Sequence, residues 1–140
     1  MGVPPAVRAA AWAALLSGAP STLHALRTGR DPFEATLAAG SILLPRETRR
    51  TRLLAAAVPV HLALSLGWAV VLDRAGVRGA RRGALAGLAI GAVDLSVAAH
   101  VFPRVRGLPL LPQLADHAAY GAVAGHVLTR ARAGRGSGRP

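Results

Sequence analysis

Four long runs of this chain carry almost no formal charge, and that pattern limits its fold more than any other feature. No arginine or acid interrupts Ala9 to Leu26 or Leu53 to Leu72, only Asp94 falls between Gly83 and Val101, and only Asp116 between Gly107 and Thr129. At about 1.5 Å of rise per helical residue, about 20 residues cross about 30 Å of hydrocarbon, so each run is long enough for a bilayer. The 140 residues then leave room for connections and tails but not for a soluble catalytic domain. With 52% hydrophobic and 16% charged residues, the composition is that of a membrane protein. The pattern predicts an all-α transmembrane helix bundle of about four spans. Residues 1–129 read as one domain and residues 130–140 as a disordered, basic Gly/Arg tail.

The net charge of +11 comes entirely from arginine, since the chain has no lysine. In a soluble protein this would suggest nucleic acid. Here the arginines flank the apolar runs, at Arg8, Arg27 and Arg30, Arg46 to Arg52, Arg74 to Arg82, Arg104 and Arg106, and Arg130 to Arg139. That placement suits helix ends and anionic headgroups, so the expected partner is the lipid bilayer and not nucleic acid. Four spans would place nine arginines on one side and eight on the other, a balance that favours neither orientation; both termini would face the same side. The absence of cysteine excludes disulfides, thiolate metal sites and cysteine nucleophiles. A cleavable signal, Ala9 to Leu16 followed by Ser17, Gly18 and Ala19, is disfavoured by its alanine content and by Pro20.

The first span, Val7 to Leu26, is expected to break at Gly18 to Pro20, because proline opens a helix readily and is costly inside one. Ser21 and Thr22, at the start of the second half-helix, offer backbone donors to an anionic group. Asp31 and Pro32 signal the start of a short helix, Phe33 to Leu44, ended by Pro45. It is too short to span and reads as re-entrant or interfacial. The Leu53 to Leu72 span carries Pro59 as a kink and Trp68 where an indole can reach the headgroups. The third span runs from Gly83 to Phe102. Pro109 and Pro112 imply an extended connection before the last span, Gln113 to Thr129.

Ionisable groups inside hydrocarbon are costly and must face protein or water. At about 100° per residue, Asp94 lies about 20° from Gly83 and Gly87 and about 60° from Gly91, on a small-residue stripe that admits a close neighbour. His61 is at similar depth, so a His61–Asp94 pair is expected, either as an ion site or as a structural clasp. Asp116, His117 and Tyr120 form a second polar cluster, and Gly121 and Gly125 a second packing motif. The spacing of His24, His61, His100, His117 and His126 matches no metal or haem signature, and no catalytic motif is present, so no metal, cofactor or enzymatic activity is expected.

The strings Ser17-Gly-Ala-Pro-Ser-Thr-Leu-His24, Gly29-Arg-Asp-Pro-Phe-Glu-Ala35, His61 with Leu62-Ala-Leu-Ser-Leu-Gly-Trp68, and Leu111-Pro-Gln-Leu-Ala-Asp-His117 together resemble small multi-pass membrane proteins of high-GC actinobacteria. The resemblance implies a bacterial inner-membrane location and no particular chemistry. Two functional classes follow from the residues. One is a non-enzymatic integral membrane protein that packs with lipid, a membrane-protein partner or its own copies. The other is a small transporter or proton- or cation-conducting subunit.

Overall fold

The computed structural model describes residues 2–136, with side chains through residue 133. Among the described residues the chain forms seven helices and no strand. They are α1 (Pro5–Leu16), α2 (Ala19–Arg27), α3 (Glu34–Leu43), α4 (Arg50–Arg74), α5 (Ala80–Val101), α6 (Pro103–Arg106) and α7 (Leu110–Gly136).

The first charge-free run is two helices. The Ser17 N–H still closes onto the Ala13 carbonyl, and Pro20 sits in the first turn of α2, where its missing N–H breaks no helical bond. α2 stops at Gly29, whose φ of +69° only glycine adopts without strain, and the Arg30 N–H returns to the Ala25 carbonyl at 2.8 Å to finish the turn. α3 follows an Asp31 turn in which the carboxylate accepts the Phe33 N–H at 2.9 Å.

α4 and α5, of 25 and 22 residues, are long and apolar enough to cross a membrane. The last helix departs from expectation at both ends. Pro112 does not hold an extended connection, because α7 already begins at Leu110 and a first-turn proline is tolerated. Nor is the tail disordered where it is described, since α7 continues through Gly136. Ala131, Arg132 and Ala133 are strong helix formers, and a helix already nucleated by packing propagates easily. Residues 137–140 lie outside the described residues.

The packing order is not the chain order. α5 lies along α7, α1 sits between α4 and α7, and α3 rests on α4, while the consecutive helices α4 and α5 scarcely touch. The core joins Ala9, Ala10 and Ala13 of α1 with Ala69 and Leu72 of α4, Ile90 of α5, and Tyr120, Ala124 and Leu128 of α7. Its small side chains bring backbones close together.

The α5–α7 seam is the extreme case. A Cβ built at Gly83 would overlap the Gly121 carbonyl, and one at Gly87 the His117 carbonyl. At Gly91 it would meet the His117 side chain at 2.9 Å, and at Gly125 the Gly79 carbonyl at 2.6 Å. The seam closes where the Gly79 N–H donates to the Gly125 carbonyl at 3.1 Å and to Thr129 Oγ1 at 2.8 Å. Gly40 makes the same kind of contact for α3, against the Leu53 carbonyl.

Leu88 lies on the flank of α5, about 100° around the helix from Gly87, and is 40% exposed. Gly87→Leu is therefore expected to lower thermal stability in detergent by at least about 1–3 kcal/mol, because the backbones must part. Leu88→Ala should be nearly silent. Melting both variants in the same detergent checks the pair; a damaging Leu88→Ala beside a silent Gly87→Leu would reverse the interior face of α5.

Candidate functional site

The break between α1 and α2 leaves a cavity of about 830 Å³ walled by α1, α2, α3, α4, α5 and α7. Two polar stripes reach it. On α4, His61, Ser65 and Trp68 recur at helical spacing, and on α7 Gln113, Asp116, His117 and Tyr120 do the same. Asp94 enters from α5, while Leu15, Leu23, Leu26, Val58 and Leu64, all substantially exposed, form its apolar rim.

The expected His61–Asp94 pair is not formed. His61 Nε2 lies 3.0 Å from the Ala14 carbonyl oxygen, on α1. Asp94 instead accepts a hydrogen bond from the Trp68 indole at 2.9 Å, and its Oδ2 lies 3.8 Å from His117 Nε2. α4 and α5 scarcely touch, and where α4 does reach Asp94 it does so through Trp68, two helical turns along from His61. Trp68 is likewise not an interfacial anchor, because its indole N–H is turned inward to the carboxylate and the side chain is half-buried.

Asp116, His117 and Tyr120 do not bond to one another. Each reaches a different helix. Asp116 Oδ1 accepts the Ser21 N–H at 2.9 Å, in the first turn of α2. The half-helix start that offered donors to an anion has thus taken an anion from the chain itself, where the helix dipole also favours it. Tyr120 donates its hydroxyl to the Ser65 carbonyl. His117 Nδ1 lies 2.8 Å from the Gln113 carbonyl; a carbonyl only accepts, so Nδ1 carries a proton. A neutral His117 would then turn the Nε2 lone pair towards Asp94, and the contact is attractive only when a further proton sits on one of the two groups.

Gln113, Ser65 and Trp68 were not identified as site residues from sequence alone. The i, i+4, i+7 recurrence of polar groups within apolar helices is the signal that marks them. The remaining histidines stay apart: His100 bonds the Ser96 carbonyl of its own helix, and His126 lines a smaller apolar groove with Trp12 and Leu16. Among the described residues no three His, Asp or Glu side chains converge as metal ligands.

Charge at the α3–α4 end is organised differently, by exposed ion pairs. Arg50 pairs with Asp31 while its guanidinium lies 5.3 Å from the Phe33 ring centroid, and Arg30–Glu34 and Arg52–Glu47 close at 2.8 and 3.1 Å. The Arg50 hydrogen bonds, followed by the Phe33 N–H, pull the Asp31 carboxyl down to about 2. A lowered carboxyl favours the folded state above its ordinary value, and that contribution fades as pH falls towards 2.

No protein-family model matches this chain, and no curated protein or solved structure matches it.

The geometry predicts which residues couple. Asp94→Leu and Trp68→Phe, and separately Asp94→Leu and His117→Leu, should cost less together than the sum of the single changes, because each single change strands a polar partner. Asp94→Leu and His61→Leu should add to within about 0.5 kcal/mol. Double-mutant cycles from detergent melts distinguish these cases; strong coupling of Asp94 to His61 would restore the pair that the packing order removes.

Proposed function

We propose that this chain is a multi-pass membrane protein, not an enzyme, that binds a small solute in the cavity between its helices and moves it with a proton. The observation that carries this reading is convergence. Four ionisable groups from three different apolar runs, His61, Asp94, Asp116 and His117, line one cavity, while His100 and His126 lie away from it and arginines flank the runs. A merely structural clasp needs one such pair and no space beside it.

Four crossings suit the fold in this reading. α1 and α2 together make a broken first crossing, α4 and α5 the next two, and α7 the fourth, with α3 as a short re-entrant or interfacial piece. Broken helices at membrane depth commonly frame solute sites, since the backbone freed at the break lines the cavity. Outward Leu62, Leu66, Leu85, Val93 and Val97 meet lipid, and the arginines meet anionic headgroups. The resemblance to small actinobacterial membrane proteins makes the bacterial inner membrane the proposed location.

A second reading, packing with a membrane-protein partner or another copy, draws on the apolar groove of about 370 Å³ lined by Trp12, Leu16, Val123 and Val127. Cross-linking from cysteines placed at Trp12 would detect it.

The test of the first reading uses vesicles loaded with a pH-sensitive dye and challenged with a panel of amines, amino acids, sugars and organic acids. At least one class is expected to drive proton movement in the native protein and not in Asp94→Asn. A panel that moves no protons, with cysteines at Gly76 and Arg106 labelled from the same side, would overturn both the transport reading and the topology.

A further inference from the structure

The cavity is unusual for its charge inventory. Asp94 and Asp116 both face it, yet among the described residues no arginine does. Each carboxylate uses one oxygen within the protein, Asp94 Oδ2 towards Trp68 and His117, and Asp116 Oδ1 towards Ser21. Asp94 Oδ1 accepts no hydrogen bond from any described residue. The other titratable groups facing this space are His61 from α4 and His117 and Tyr120 from α7, and neither α1, α2 nor α3 contributes one. A carboxylate in such surroundings is costly unless a proton or a cation accompanies it.

The rest of the lining says what kind of cation. A volume of about 830 Å³ lies within the range of sites for drug-sized molecules and is far larger than a single ion needs. Leu15, Leu23, Leu26, Val58 and Leu64 at the rim suit an apolar body and offer nothing to a hydrated ion. The rings of Trp68 and Tyr120 add surfaces that attract positive charge. No three carboxylate or imidazole groups converge to strip a metal ion of its water, among the described residues.

We propose that the cavity takes a hydrophobic organic cation in exchange for a proton, with Asp94 holding whichever of the two is present. The exchange balances: one monovalent cation enters, one proton leaves the Asp94–His117 site for bulk water, and the net charge of the cavity is unchanged. No bond is made or broken beyond that proton transfer. This inference rests on the cavity being a binding site, and adds the class of its guest.

Tetraphenylphosphonium and tetraphenylborate, of nearly equal size and opposite charge, are the probes. The full chain carrying Trp12→Phe, in nanodiscs, keeps Trp68 as its one indole reporter. Phosphonium is expected to bind at least about tenfold more tightly than borate. Its Kd should rise as pH falls, and calorimetry in buffers of different ionisation heat, made on the acid side of that rise, should find about one proton released per cation bound. Asp94→Asn should lose both the preference and the proton release. Asp94→Glu, which keeps the carboxylate should Asn fail to fold, should retain the preference. Equal binding of the two ions, binding without proton release, or loss of the preference in a folded Asp94→Glu would each overturn the proposal. If phosphonium does not bind while another solute class moves protons in the vesicle assay, the organic cation is overturned and the transport reading stands.

Discussion

The contact between the α5 and α7 backbones sets the geometry on which the candidate site depends. Gly83 and Gly87 bring α5 against the carbonyls of Gly121 and His117, and this places Asp94 one turn beyond Gly91, facing the His117 ring. A side chain at any of these glycines would separate the helices by the width of a methyl group or more, and the long Asp94–His117 contact would open with them. Packing and chemistry therefore share residues: His117 supplies the carbonyl that receives Gly87, the ring that covers Gly91, and the imidazole that faces the carboxylate.

The second constraint is the break after Ser17. A continuous helix through Pro20 would lose a backbone hydrogen bond and clash with the preceding turn. Splitting the segment avoids that penalty and exposes the α2 N-terminus, whose donors need partners. Asp116 supplies one, across 95 residues of chain. The result ties the first helices to the last and leaves space beside the break, so the cavity is a consequence of where proline sits in an otherwise apolar run. α3 closes the far wall through Gly40, which lets it lie directly on the α4 backbone at Leu53.

Much of this was legible in the chain. Three of the four charge-free runs marked long helices, Pro20 marked the break in the first, and the glycine spacing picked out the face of α5 that meets a neighbour. The residues around Asp94 were not legible in the same way. His61 looked like its partner because consecutive antiparallel helices usually pack together, whereas here α4 and α5 scarcely touch and α4 reaches Asp94 through Trp68, two turns from His61. Trp68 read as an anchor because an indole near a span end is usually amphipathic, and nothing local indicates that its N–H turns inward. The α7 tail read as disordered from its Gly and Arg content, but Ala131 and Ala133 let a packed helix run on.

What the sequence by itself determined is local: helix rather than strand, where proline stops or splits a helix, which faces are small enough for close approach, and which groups cannot remain in lipid. These depend on residue spacing and desolvation cost, quantities a single segment carries. The tertiary structure alone decided who meets whom. Which carboxylate caps α2, which ring faces Asp94, and whether the polar stripes of α4 and α7 enclose a cavity depend on helix order and rotation. Those are set by backbone contacts between segments tens of residues apart, whose competing arrangements bury similar apolar surface and so leave little trace in periodicity.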